Sequence, residues 1–233
     1  MNNLVQYTTE DNYAIIKIAN GKVNAISHEV IDEINECLEA AEKEERVVII
    51  TGQEGILSGG YDLKVMTKSA DAAKELVSRG SKLSHRLLSF PYPVIMACSG
   101  HAVAKGAFLL LSADYRLGVD GDFKIGLNEV QIGMTMHHAG IAIARHKLPA
   151  VFFERSVNNG EMYNPKEAVT AGFLDKIVPG EYLLPTAVKV AQLFGKINKT
   201  AHKNTKLKVR KDFLESLQNA IELDLKEELS FDA

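Results

Sequence analysis

Apolar residues fall along this chain in two rhythms, and their alternation predicts its elements. Short unbroken apolar runs mark strands buried on both faces: 47–51 (VVIIT) and 93–98 (PVIMAC) are the clearest, with 13–19, 115–119 and 174–178 as further candidates. Between these runs, apolar positions recur every three or four residues, the spacing of one helical face. Val30, Ile31, Ile34, Leu38 and Ala41 form such a stripe behind a Ser27 cap. Leu76, Leu83, Leu87 and Leu88 form another across 70–90, closed by Pro91 and Pro93. Helices are also expected at 141–146, at 149–157 up to Asn159-Gly160, and at Leu183–Phe194. Asn164-Pro165-Lys166-Glu167 combines a capping side chain, a proline at the first helical position and a glutamate able to close a capping box, and that helix should end at Gly172. Strands joined by helices in this order require right-handed crossovers and a largely parallel sheet, so the fold class is α/β.

The last stretch, 196–229, spaces Leu207, Val209, Phe213, Leu217, Ile221 and Leu225 as one helical face. The organisation read from the pattern is therefore a core over 1–194 and a C-terminal helical segment over 195–233 that packs on a neighbouring subunit or returns over its own core. The basic run from Lys196 to Lys211 reads as a solvated helix face.

Composition narrows the function classes. The 233 residues are 46% hydrophobic and 24% charged, an ordinary soluble balance, and a net charge of -3 argues against a general nucleic-acid binder. No apolar run has membrane-spanning length, and MNNLVQYTTEDN lacks the basic-then-apolar pattern of a signal peptide, so a cytoplasmic protein with no membrane partner is expected. Cys37 and Cys98 have no CxxC spacing and read as reduced small hydrophobes, with no metal site expected.

The candidate chemistry lies in three places. Residues 52–63 read as a glycine-rich loop whose tail, Leu57-Ser58-Gly59-Gly60-Tyr61-Asp62-Leu63, can expose backbone N–H groups to an anionic oxygen, although paired glycines also make plain turns. Ser99-Gly100 should end the 93–98 strand as a turn, and Ala104-Lys105-Gly106-Ala107 then opens a helix over 108–113 whose first N–H groups lack acceptors. Glu129 sits among apolar neighbours and is either a loop carboxylate paired with Lys or Arg, or a base whose pKa burial raises. Ser99 and His101 suggest a hydrolase, but Ala97 stands where a nucleophile elbow needs its first glycine.

Five motifs, LSGGYDLKVM, PVIMACSGHAVAKGAF, SADYRLG, FKIGLNEVQIG and NPKEAVTAGFLDKIVP, occur in an order and spacing that resemble the crotonase superfamily, the enoyl-coenzyme A hydratases and isomerases, over about 13–193. The resemblance implies a crotonase-like spiral of ββα turns with a C-terminal helical region, assembled as a homotrimer or dimer of trimers. It also implies an acyl-CoA thioester substrate, with coenzyme A part of the substrate and no separate cofactor. Carried over position by position, it places the thioester oxygen between the N–H groups of Tyr61 and Lys105, and the CoA moiety near Val23, Ala25, Ser58, Leu63 and Lys64. Gly60, Asp62, Gly106 and Phe108 complete the implied substrate contacts, with Met136 and His137 at the acyl pocket wall.

A typical hydratase of the family positions water with two glutamates. Here the first falls on Phe108 and the second on Glu129, and IGLNEVQIG looks like the mitochondrial Δ3,Δ2-enoyl-CoA isomerases, which also lack the first. The expectation is a double-bond shift from 3-enoyl to 2-enoyl thioester with Glu129 as acid and base. A hydratase or acyl-CoA hydrolase on the same scaffold, or a CoA-binding homologue without chemistry, is the alternative.

Overall fold

A computed structural model of the chain describes residues 4–227. Among them the strands are β1 (Val5–Glu10), β2 (Tyr13–Ile18), β3 (Val47–Thr51), β4 (Gly55–Ser58), β5 (Val94–Cys98), β6 (Gly100–Val103), β7 (Tyr115–Val119), β8 (Ile125–Gly126), β9 (Met162–Tyr163) and β10 (Lys176–Val178). The helices are α1 (His28–Lys43), α2 (Leu63–Met66), α3 (Ala70–Ser89), α4 (Lys105–Leu111), α5 (His138–Lys147), α6 (Ala150–Asn158), α7 (Pro165–Ala171), α8 (Leu183–Phe194) and α9 (Lys199–Lys226). One sheet has the order β1-β2-β3-β5-β7-β10 and the other β4-β6-β8-β9. The β1–β2 and β8–β9 pairs are antiparallel and the rest parallel. The chain gives β3 to the first sheet and β4 to the second before α3 returns it, then repeats the course with β5, β6 and α4. This is the expected ββα spiral.

The continuous apolar runs have a direct cause. In β3 and β5, Val48, Ile50, Val94, Met96 and Cys98 face the main core, while Val47, Ile49, Ile95 and Ala97 meet Leu183, Ala187 and Ala191 of α8. With both faces covered, alternation disappears.

Two expectations are corrected. Residues 52–63 are not all loop, because they include β4, and the Ser99-Gly100 pair leads into β6 rather than turning towards a helix. Close approach explains both: a Cβ on Gly100 would lie 2.0 Å from the Gly55 oxygen, so glycine lets β4 and β6 pair.

The C-terminal segment folds back on α3 and α5 of its own chain. Its buried face matches the expected apolar one only in part: Leu217 and Ile221 are buried and Phe213 packs against the core, but Val209 and Leu225 are exposed, and Lys206, Ala220 and Asp224 are buried as well. Leu229 lies outside the described residues. The N-terminal half of the helix departs from the apolar pattern because Asp114 pairs with two of its cations, Lys206 Nζ at 2.7 Å and Arg210 Nη2 at 2.8 Å, while also accepting the Val94 N–H at 2.8 Å. The basic run is thus only partly solvated. Burial would raise the Asp114 carboxyl, but Lys206 and Arg210 outweigh it and hold the pKa below the ordinary value. Asp114→Ala should cost about 3–5 kcal/mol of stability, since it strands buried cations. In the wild type this contribution is present above the unfolded carboxyl pKa and lost as pH falls through the lower folded value, which urea unfolding across acidic pH will measure.

Candidate active site

Three parallel strands of the smaller sheet carry the candidate site. Ser58 pairs with Ala102, Ala102 with Ile125 and Val103 with Gly126, so β4, β6 and β8 end side by side. Beyond those ends run Gly59-Gly60-Tyr61, Ala104-Lys105 and Leu127-Asn128-Glu129, at the carboxyl edge where open parallel sheets bind ligands. All three segments contribute to the wall of one cavity of about 750 Å³.

The first segment is held from below. Ser58 is fully buried and its Oγ accepts the Gly60 N–H at 3.1 Å, while the Gly60 oxygen accepts from Ile26 N at 2.8 Å. Gly60 has φ 113°, a conformation glycine takes without strain. The second segment turns sharply at Ala104, with φ 50° and ψ -119°, a strained geometry for a residue with a Cβ that costs about 1–3 kcal/mol. Gly106 follows, and a Cβ there would lie 2.3 Å from the Ser58 oxygen, so the start of α4 lies directly on the end of β4. A Cβ on Gly60 would be 3.8 Å from the Lys105 nitrogen, which brings the two backbones together. Among the described residues, neither the Tyr61 nor the Lys105 N–H donates to a protein acceptor.

The Lys105 side chain leaves the cavity. It is 1% exposed, and its Nζ donates to the Gly80 oxygen and Ser84 Oγ of α3, both at 2.6 Å. Burial pushes its pKa down to about 7. Tyr61 reaches the same helix, its hydroxyl donating to the Val77 oxygen at 3.3 Å.

Glu129 begins a 3-10 turn, Glu129–Ile132, and is 4% exposed. Among the described residues it forms no ion pair, and its Oε2 is buried without a hydrogen-bond partner. The loop-carboxylate reading therefore fails. Desolvation raises its pKa to about 7, the range in which a carboxyl can both take and give a proton.

His137 also lines the cavity. It is buried, its Nδ1 has no partner, and burial followed by the nearby Lys105 charge lowers its pKa to about 3, so the ring is neutral. Phe108 packs edge-on against it at 5.5 Å and lies behind it, away from the cavity wall. Met134 lines the cavity instead of Met136, which is buried beside it.

Other positions divide by reach. Gly60 and Leu63 line the cavity with Tyr61, Glu129 and His137, and Leu63 is 69% exposed at the rim. Val23 is exposed and offers its carbonyl to Gly59 N at 2.9 Å, Ala25 accepts from Asn20, and Asp62 caps α2 through Lys64 N at 2.9 Å. Val23, Ala25, Ser58, Asp62, Lys64 and Gly106 are outside the cavity lining. The hydrolase pair is dispersed: Ser99 Oγ donates to the Ile56 oxygen, and His101 Nδ1 accepts from Lys124 N. Sequence reasoning missed Asn128, Ile132 and Met134 on the wall, although all lie within a few residues of Glu129.

Residues 8–231 match the family model described as enoyl-CoA hydratase/isomerase. The chain belongs to that family. A Pseudomonas syringae enoyl-CoA hydratase/isomerase family protein of known structure is 60% identical, with TM-score 0.96, covering 97% of this chain and 99% of that one. The human mitochondrial enoyl-CoA delta isomerase 1 is 27% identical over 94% of this chain and 74% of its own length. A probable enoyl-CoA hydratase of Bacillus subtilis is 29% identical over 74% of this chain and 68% of its own. The relatives' names thus span two reactions, and the choice between them falls to the site.

Proposed function

We propose that this member of the enoyl-CoA hydratase/isomerase family is an isomerase that converts 3-enoyl-CoA to 2-enoyl-CoA. The observation that carries the reading is the charge inventory of the cavity: among its lining residues Glu129 is the single carboxylate, and Phe108 stands where the resemblance puts the family's first glutamate. Hydration needs a water oriented and split between two groups, whereas a 1,3 proton shift needs one base that returns what it takes.

In this reading the thioester oxygen accepts from the N–H groups of Tyr61 and Lys105. The ionised Glu129 removes a proton from C2, and the electron pair moves into the thioester to give an enolate. The two fixed donors stabilise the developing oxygen charge in a site with little water, and a donor of this kind contributes a few kcal/mol to the barrier. The neutral carboxyl then delivers the same proton to C4 and the double bond comes to rest beside the carbonyl. Coenzyme A takes part only as the thiol half of the substrate.

Mixing the protein with a 3-enoyl-CoA should produce the ultraviolet absorbance of the conjugated thioester, and a 2-enoyl-CoA should gain little or no water. Rapid formation of 3-hydroxyacyl-CoA without isomerisation would instead make the protein a hydratase.

A further inference from the structure

We propose that Asp224 is a positioning residue of this active site: from the C-terminal helix, its carboxylate fixes the first turn of α5 and so the place of His137 on the cavity wall. The observation is a cap supplied from a distance. Helix α5 begins at His138 with His137 as its N-cap, and His137 makes no side-chain capping bond. The first N–H groups of a helix have no internal acceptor and must find one elsewhere. Here Asp224 Oδ1 accepts from His138 N at 2.7 Å and Oδ2 from Ala139 N at 3.0 Å, bridging 86 and 85 residues of sequence.

The carboxylate is 6% exposed and stands at the positive end of the α5 dipole, where a negative charge is favoured. Two further contacts hold the same pair of helices. His138 Nε2 meets Glu227 Oε2 at 2.8 Å, and the rings of His146 and Phe213 stack at 3.7 Å. The residue immediately before this anchored turn is His137, which shares the wall with Glu129 and Met134. Shifting the turn therefore moves the His137 side of the cavity, where the acyl-CoA reading puts the acyl chain, more than it moves the Tyr61 and Lys105 donors, which other elements carry.

The proposal uses the acyl-CoA reading for its ligand but not the isomerase chemistry, so the test is equilibrium binding. Calorimetric titrations of wild type, Asp224→Ala and Asp224→Asn with a saturated long-chain acyl-CoA, a saturated short-chain acyl-CoA and free CoA are compared with Lys206→Met. Lys206→Met weakens the other end of α9 and controls for lost stability. Asp224→Ala should lose roughly tenfold or more affinity for the long-chain thioester, with free CoA binding nearly unchanged and faster hydrogen exchange in the first turn of α5. Asp224→Asn, which keeps one acceptor, should recover part of the loss and covers the case in which the alanine variant does not fold. Wild-type selectivity between the thioesters in the Asp224 variants, or an equal change in Lys206→Met, would overturn the proposal. If the wild type binds both thioesters yet isomerises neither 3-enoyl counterpart, the proposed reaction fails and the positioning role stands.

Discussion

Replacing Glu129 by glutamine lowers isomerisation by roughly 10²- to 10⁴-fold while acyl-CoA still binds, because the variant keeps the shape of the wall and removes the proton carrier. Steady-state turnover of a 3-enoyl-CoA and a separate binding titration read the two effects. The pH dependence has a fixed sign. Glu129 acts first as a base, and its pKa stands near 7, so kcat/KM rises with pH through that value and levels off above it. In the glutamine variant this rise is absent from any residual rate.

The same burial makes an opposite statement about stability. The folded pKa of Glu129, about 7, is above its ordinary 4.5, so the folded state holds the proton more tightly than the unfolded chain. The resulting contribution is full below the unfolded pKa and disappears as pH rises through the folded value, leaving a buried charge without a partner. That charge costs on the order of 3 kcal/mol above neutrality. Glu129→Gln should therefore unfold at higher urea than wild type at about pH 8, with the difference shrinking towards about pH 4. Activity and stability oppose each other at this one residue.

Gly106→Ala should have the second large effect, from backbone geometry alone. The added methyl would fall 2.3 Å from the Ser58 oxygen, and backbone must move to relieve the clash. The start of α4 then separates from the Gly60-Tyr61 segment by something near 1 Å, a displacement that can cost about 10²-fold in rate. Since the donors matter most when the enolate oxygen forms, the loss should appear in kcat more than in KM. Overpacking should also lower stability by about 1–3 kcal/mol. An alanine variant with wild-type kcat would show that the Lys105 N–H takes no part.

Much of this arrangement was legible in the sequence, unevenly and for physical reasons. The strands β3 and β5 announce themselves because both faces are buried and every residue but Thr51 is apolar. By contrast β8 and β9 have two residues each, and β1 buries only Val5, so no periodicity marks them. The capping box at Asn164 and Glu167 forms as read, because its bonds are local.

At the site, the free N–H groups and the isolated glutamate could be found one by one. Their meeting depends on the register of β4, β6 and β8, a set of pairings between residues more than forty positions apart in the case of Ser58 and Ala102. The destination of the Lys105 side chain was equally hidden, because its acceptors belong to α3, where Gly80 and Ser84 look like ordinary members of an amphipathic helix. The burial of Lys206 on α9 has the same origin. An apolar count assumes that charged residues face water, and Asp114 removed Lys206 from that rule.

The central claim is that one carboxylate carries one proton between two carbons of a CoA thioester. The most direct measurement follows a 3-enoyl-CoA deuterated at C2 through a single turnover in ordinary water, with the product examined by mass spectrometry and NMR. Recovery of 2-enoyl-CoA with part of the deuterium at C4, lost in Glu129→Gln along with turnover, is the predicted result. Product formed at an undiminished rate by Glu129→Gln, or 3-hydroxyacyl-CoA in place of the conjugated thioester, would contradict the claim.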